Sequence, residues 1–391
     1  MTEAGAPDVI VIGAGMVGAA CAYYAARAGL RVVVLDRGPI AGGTTGAGAG
    51  NVLVSDKTPG PELDLALLSL RLWHQIGTEL GPDLGAATME LEAKGGLVVA
   101  ASEGTRDQLA RLASAQHAAG VEVSGVAAED LGQYEPHLTE GLAGGVFFPQ
   151  DLQVQPMRAA AQLLAVSGAD VRCGVGVREI ERTGTGAVTG VVTDGGSRLP
   201  AGAVVNAAGV SAGELAARVG TRLPIAPRRG FVLVTEALDG GPGRAQPIRH
   251  KVYSAEYAGG AASDDAALQT SAVVESTHAG TVLIGSSRER VGFDPGFSLP
   301  VLCQLAAQAV ALFPFLAAVR VLRAYRGFHP WTPDHLPVIG PDPRTAGLWH
   351  ACGHEGSGIG LAPATGAVIA ALLTGARPDL NPAPYAPGRF A

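Results

Sequence analysis

Three glycines near the start of the chain have the types and spacing to hold a phosphate. They lie in Val9-Ile10-Val11-Ile12-Gly13-Ala14-Gly15-Met16-Val17-Gly18. Gly13 permits a tight turn, Gly15 lets a pyrophosphate approach the backbone, and Gly18 lets a helix pack close on the preceding strand. The free N–H groups and positive dipole end of that helix then face the anion. Asp36 ends a second apolar run, Val32-Val33-Val34-Leu35, about twenty residues on, where a carboxylate can take both ribose hydroxyls. Arg37 follows it and is counted with the dinucleotide-binding residues. A second glycine-rich stretch runs from Gly42 to Asn51 and includes Thr44, Thr45 and Gly50. Its near-absence of side chains implies close passage of a large ligand, and both threonine hydroxyls could donate to a phosphate. These features alone suit NAD and FAD equally.

The elements that must position these residues follow from periodicity. Four apolar residues in a row at 9–12 fit a parallel strand covered on both faces. Helical spacing predicts helices over 62–80, 105–119, 155–167, 300–312 and 361–373, the last with Pro363 in its first turn. Strands are expected at 95–101, 171–173, 175–180, 188–193 and 347–353. The run Ala203-Val204-Val205-Asn206-Ala207-Ala208-Gly209 reads as a second buried strand ending in a glycine turn, a return to the nucleotide fold. Segments 227–235, 251–257, 268–275, 282–286 and the stretch on to Phe293 read as a different, antiparallel sheet, with a small-residue loop at 259–265. The expected fold class is α/β, a Rossmann-like binding domain with a second, mainly antiparallel β-sheet domain.

Composition sets limits. The chain has 391 residues, long enough for two domains, and its 47% hydrophobic content supports an ample core. A net charge of −7 with no basic run argues against nucleic acid. Cys21, Cys173, Cys303 and Cys352 are scattered without metal-ligand spacing, so neither a metal site nor an iron–sulfur cluster is expected. Four reduced thiols point to the cytoplasm. The first apolar stretch lacks a basic leader and is interrupted by Arg27 and Arg31, which rejects a signal peptide or membrane span.

Taken in order, the opening βαβ unit, Thr44-Thr45-Gly46, the 205–209 turn, Trp331-Thr332-Pro333-Asp334-His335-Leu336-Pro337 and the closing Gly353-His354-Glu355-Gly356-Ser357-Gly358-Ile359-Gly360 resemble the D-amino-acid-oxidase superfamily of FAD enzymes. Within it, 50–57 and 352–363 look like the flavin subunits of hydrogen cyanide synthases and D-hydroxyproline dehydrogenases. The resemblance implies FAD and oxidation of a C–N bond in a D-amino acid, imino acid or secondary amine by hydride transfer to flavin N5. Electrons would pass to partner subunits. The alternatives are an oxidase releasing hydrogen peroxide or an electron-transfer subunit without its own substrate.

It also implies a discontinuous FAD domain (1–90, 150–225 and 325–391) and a substrate domain (91–149 and 226–324). Gly13, Gly15, Gly18 and Asp36 would hold the ADP half, and Thr44 and Thr45 would face the phosphates. Gly50 and Asn51 would run beside the ring system, while Val177 and Gly209 complete the cofactor wall. Backbone N–H groups of Gly358, Ile359 and Gly360 would stabilise charge on the reduced ring. Gly327 stands where sarcosine-oxidase-like enzymes attach flavin to a cysteine, so the FAD is expected to be non-covalent. His329 replaces an arginine that clamps the substrate carboxylate in glycine and D-amino-acid oxidases, and Gly356 replaces a second. His329 and Lys57 are therefore the expected active-site residues, with Lys57 also readable as a solvated turn lysine. Arg249 and Lys251 are further candidates for a carboxylate, and His250, Tyr253 and Tyr257 for the substrate sheet.

Overall fold

The computed structural model describes residues 6–238, 246–255 and 268–390. Strands are numbered in chain order. β1 (Val9–Ile12) is buried along its whole length and pairs in parallel with β2 (Val32–Asp36) on one side and β12 (Ala203–Asn206) on the other. β8 (Asp170–Cys173) extends this sheet beyond β2. β19 (Leu348–Cys352) extends it beyond β12, and β18 (Val338–Pro341) closes that edge antiparallel.

Among the described residues six helices exceed ten residues: α1 (Met16–Arg27), α2 (Pro61–Glu79), α3 (Glu103–Ala118), α4 (Pro156–Ser167), α5 (Leu299–Leu312) and α6 (Gly358–Leu373). Val9 and Val11 face a core shared with α1, α4 and α6. Ile10 and Ile12 face the opposite way, into a core with Ile180, Val188 and Val191. Those three come from a small antiparallel sheet of β9 (Val177–Arg182), β10 (Val188–Thr193) and β11 (Arg198–Pro200). Successive strand residues point to opposite faces, and here both faces are covered, which is why the run is apolar without a break.

The larger sheet has eight strands in the order β17 (Val321–Trp331), β13 (Ala226–Thr235), β16 (Val282–Glu289), β15 (Leu268–Ser276), β14 (Lys251–Ser254), β4 (Gly96–Ala100), β6 (Gly144–Phe148) and β5 (Ser124–Val126). It is antiparallel except where β14 meets β4. One face packs on α5 through Phe231, Leu233, Val274, Ile284, Leu305 and Ala309. Val98, Val146, Tyr253 and Val273 belong instead to the α1–α4–α6 core, so the two large sheets share one interior. β3 (Asn51–Val52) and β7 (Leu152–Gln153) form a two-stranded link between them in the chain. The α/β class expected from sequence is the observed one. No helix of the described residues is long and apolar enough to cross a membrane.

Two expectations change. β17 has no counterpart among the strands read from sequence, and it pairs with β13 from Ala226↔Trp331 to Thr235↔Val321. A return to the nucleotide fold at 325 would thus cut a continuous strand. Arg323, Arg326, Gly327 and His329 break the apolar alternation that would have marked it. α6 begins at Gly358, three residues early, because Gly358 and Gly360 have low helix propensity and hide its first turn; Pro363 falls in the second turn. β16 runs to Glu289, within the stretch read as strand up to Phe293. Tyr257 and the 259–265 loop lie outside the described residues.

α6 crosses α1 at Gly366, where an added Cβ would lie 2.5 Å from the Ala20 carbonyl oxygen. Backbone cannot yield as a flexible side chain does. Gly366→Ala should therefore destabilise the protein by about 1–3 kcal/mol, read by denaturant unfolding. A change within experimental error would show that the helix pair is free to separate there.

Candidate cofactor and substrate site

A cavity of about 400 Å³ opens at the carboxyl ends of β1, β2 and β12, the crevice where open parallel sheets take ligands. Gly13, Gly15, Asp36, Thr45, Arg37, Val177 and Gly209 line it from the β1–β2–β12 side. Gly327, His329, Gly356, Gly358 and Ile359 line it from the β17 side.

The glycines divide into two kinds. A Cβ on Gly13 would sit 2.4 Å from the Ala207 oxygen, and one on Gly18 would sit 1.9 Å from the Gly13 oxygen. These two are required for α1 to begin against the strand ends. A Cβ on Gly43 would meet nothing within 4 Å, so glycine there leaves the cavity open, whereas Gly209 is favoured by its left-handed backbone, φ 54°.

Polar groups complete the cradle. Asp36 accepts hydrogen bonds from the N–H groups of Ala14 and Gly38, each 2.7 Å. A carboxylate has about four acceptor positions, so two remain for ribose hydroxyls. Thr45 Oγ1 accepts the Met16 N–H at 2.9 Å, capping α1 from another loop, and keeps its own proton to donate. These features fit the ADP portion of a dinucleotide.

The opposite end is built by β17 and the loop before α6. The His329 Nε2 lies 2.7 Å from the point a Gly230 Cβ would occupy, so the ring rests on bare β13 backbone. Its Nδ1 is buried without a hydrogen-bond partner. Burial, followed by the Arg288 charge, pushes its pKa down to about 4, so the imidazole is neutral at pH 7. Glu355 takes Arg228 Nη1 at 2.9 Å and pairs with His335 Nδ1 at 2.8 Å. Burial alone would raise its pKa, but the His335 hydrogen bond and the Arg288 charge outweigh that and hold it below the usual range.

The Glu355 N–H donates to the Pro330 oxygen at 3.1 Å, fastening the loop to β17. His354 meets Thr365 Oγ1 at 2.9 Å, and burial pushes its pKa down to about 3. The side chain of Ser357, the residue before α6, donates to Glu62 and leaves the first-turn N–H groups without a side-chain cap. Gly358 and Ile359 line the large cavity, and Gly360 a second, small one. Asn51, Asp56, Lys57, Arg288, Gly356 and Ser357 also line the small cavity, and Gly356 belongs to both.

Several expected residues are used differently. The Thr44 hydroxyl donates to the Phe328 oxygen of β17 at 2.7 Å, so only Thr45 keeps a hydroxyl proton for phosphate. Gly50 lines neither cavity; its positive φ and a would-be Cβ 1.9 Å from the Val154 oxygen show a packing requirement. Asn51 Oδ1 accepts from Lys251 Nζ, which also pairs with Glu275; Lys251 and Glu275 are buried and Asn51 is half-buried. Lys57 is buried, with Asp56 at 2.7 Å and Glu62 at 3.5 Å, and is no solvated turn residue. Arg249 is held at Gln133 and Glu135, and His250 by Glu135. Tyr253 is fully buried against Ser55.

Sequence reasoning passed over Arg288 and Glu355. Arg288 lies in the stretch read as strand up to Phe293, where nothing in its type or spacing set it apart from the other arginines.

A family model described as FAD dependent oxidoreductase, the DAO family, matches residues 8–372. The chain belongs to this family and is an FAD-dependent oxidoreductase. It is 31% identical to glycine oxidase of Pseudomonas putida over 97% of this chain and 98% of that protein. It is 28% identical to hydrogen cyanide synthase subunit HcnC of Pseudomonas aeruginosa over 98% of this chain and 96% of that protein. The crystal structure of glycine oxidase from Geobacillus kaustophilus superposes with a TM-score of 0.84 at 28% identity, covering 97% of this chain and 98% of that one.

Two outcomes follow from these contacts. Thr45→Val removes the acceptor for Met16 N–H and should weaken FAD retention by about 0.5–2 kcal/mol, measured by FAD titration of the stripped protein. Unchanged affinity would remove Thr45 from the cradle. His329 and His354 both titrate lower in the folded protein than in the unfolded chain, so the unfolded chain takes up protons first as pH falls. Stability should decline from about pH 6.5 down to the folded values. His354→Gln should lose less of its melting temperature between pH 7 and 4.5 than the parent; equal losses would contradict this origin of the acid sensitivity.

Proposed function

We propose that this enzyme oxidises a C–N bond of a small amino acid, imino acid or secondary amine with non-covalently held FAD, and passes the electrons to a partner subunit. The observation that supports the reading is the neutral His329 beside the glycine-rich start of α6, where the large cavity meets the small one lined by Asp56, Lys57 and Arg288. Bound FAD supplies a two-electron acceptor for the hydride of the carbon bearing nitrogen.

The chain's own groups orient and stabilise. A neutral imidazole does not repel an amine substrate, and His329 can hydrogen-bond to it without acting as an obligatory base. The N–H groups of the first turn of α6, with its dipole, favour negative charge at the adjoining edge of the cavity. Gly50, Asn51 and Gly360 act from behind, as the packing that keeps this helix start close: a Cβ on Gly360 would lie 3.2 Å from the Asn51 oxygen.

Non-covalent binding is supported by Gly327, which lies on the cavity wall against Ala47. Cys352, the cysteine that lines the cavity, is buried with its thiol pushed up to about 12, far from a nucleophilic thiolate. The likeness to a named subunit of a hydrogen cyanide synthase supports the partner-coupled reading. The glycine oxidase likeness supports a second one, an oxidase that reduces oxygen to hydrogen peroxide.

Anaerobic mixing of the holoenzyme with D-amino acids, prolines and N-methyl amines should bleach the flavin with at least one of them. His329→Ala should slow that reduction about 10- to 100-fold while retaining FAD. Acid precipitation should leave the FAD in the supernatant. No bleaching by any member of the panel would refute amine oxidation. Rapid reaction of reduced enzyme with oxygen in stopped flow would select the oxidase.

A further inference from the structure

We infer that Asp151 is a positioning residue: with Ser55 and Tyr253 it forms a buried hydroxyl relay whose protonation sets the place of residues 54–57 and, through them, of the start of α6. The inference concerns the FAD-loaded protein and holds whichever amine is oxidised.

Asp151 lies in the turn between β6 and β7 and is buried, as are Ser55 and Tyr253. A Cβ on Gly96 of β4 would fall 2.2 Å from Asp151 Oδ2, so the carboxyl fills space that the glycine leaves. Its Oδ1 accepts the Val54 N–H at 2.8 Å and the Ser55 N–H at 3.3 Å. Its Oδ2 bonds Ser55 Oγ, which in turn bonds the Tyr253 hydroxyl. From α3, the Gln116 amide donates to the Ser55 and Lys57 oxygens at 2.9 and 2.7 Å. Two side chains from distant parts of the chain thus hold the backbone of this segment. Asp56 and Lys57 line the small cavity. Lys57 meets Glu62 of α2 at 3.5 Å, and Glu62 accepts the Ser357 hydroxyl at 2.9 Å, one residue before α6. A displacement at 54–57 therefore reaches the helix start that lines the large cavity.

The charged groups on the surrounding elements are paired elsewhere. Lys57 faces Asp56 and Glu62, Lys251 of β14 faces Glu275, Lys94 before β4 faces Glu92, and His250 faces Glu135. Tyr253 and Asp56 are the titratable groups closest to the relay. Burial, with the Asp56 charge, pushes the Asp151 pKa up to about 7 against the Ser55 and Val54 hydrogen bonds. When protonated, Asp151 donates to Ser55 Oγ, and the Ser55 hydroxyl turns toward the Tyr253 oxygen. When that proton leaves to water, Ser55 donates to Asp151 and Tyr253 donates to Ser55. The carboxylate then rests on one hydroxyl and two N–H groups in a dry site, and its desolvation exceeds what these bonds return. The folded acid binds its proton more tightly than the unfolded chain, so the native arrangement weakens as pH rises toward and past 7.

The test follows the flavin absorbance of the holoenzyme, and hydrogen exchange of the peptide holding residues 53–57, from about pH 5.5 to 9. In the parent both should change with a midpoint near 7, exchange rising above it by about threefold or more beyond the intrinsic effect of pH. Asp151→Asn keeps the shape, accepts the same N–H groups and donates to Ser55 Oγ at every pH, so it should lose both transitions and match the parent at low pH. Ser55→Ala removes a hydrogen bond that favours the carboxylate and should move the midpoint up by about one pH unit, which keeps the test available if Asp151→Asn does not fold. A parent with no transition in this range overturns the inference, as does a transition that persists at the same midpoint in Asp151→Asn or is unmoved in Ser55→Ala. Neither readout uses a substrate, so a protein that no amine bleaches still decides the matter, and failure of the relay leaves amine oxidation untouched.

Discussion

The site depends on one close approach of backbone to backbone. The Gly13 carbonyl lies so near Gly18 that a side chain at 18 has no room, and the Ala207 carbonyl crowds Gly13 in the same way. These contacts press the first turn of α1 onto the ends of β1 and β12. Asp36 and Thr45 then hold the turn from two directions by accepting its N–H groups. The cradle is thus made of carbonyl oxygens, glycine hydrogens and two side chains that brace before they bind. A second helix start, that of α6, is set by the same means: Gly360 lies on the Asn51–Val52 backbone and Gly366 on that of Ala20. Two helix dipoles are therefore delivered to one cavity by close packing of glycine.

Electrostatics at the β17 end follow from burial. A buried imidazole among arginines stays neutral, and a buried carboxylate flanked by Arg228 and His335 stays charged. The region therefore holds fixed charges in matched pairs, with neutral His329 set among them. Such pairing limits the cost of burying ions and makes the position of each cation depend on its acid.

The sequence disclosed the nucleotide half well because its signals are local. The four-residue apolar run at β1, the glycine spacing and the acid closing β2 each lie within one βαβ unit, and each is observed at the expected place in the fold. The substrate half was less legible for physical reasons. β17 owes its existence to pairing with β13, about ninety residues earlier, and its own sequence is too polar to declare a strand. The His329 ring has room only because Gly230, on the neighbouring strand, has no side chain. Thr44 looked like a phosphate donor, yet its nearest acceptor is a carbonyl almost three hundred residues away in the chain. Lys57 read equally as a site residue or a solvated one, and only tertiary structure shows it buried. Local pattern reveals elements; it does not reveal which side chains from separate elements share a cavity.

The order of strands in the parallel sheet has a consequence for how the protein is made. β1 is synthesised first, but its neighbour β12 comes almost two hundred residues later and β19 nearly three hundred and forty later. The cavity takes lining residues from Ile12 through Ile359. A nascent chain leaving the ribosome thus carries β1 and β2 with one side of their sheet unpaired until β12 has been made, and it has no complete cofactor wall until the loop before α6 has emerged. FAD capture consequently waits for the loop before α6, and it stabilises a wall that joins β1 and β2 to the much later β12 and β17.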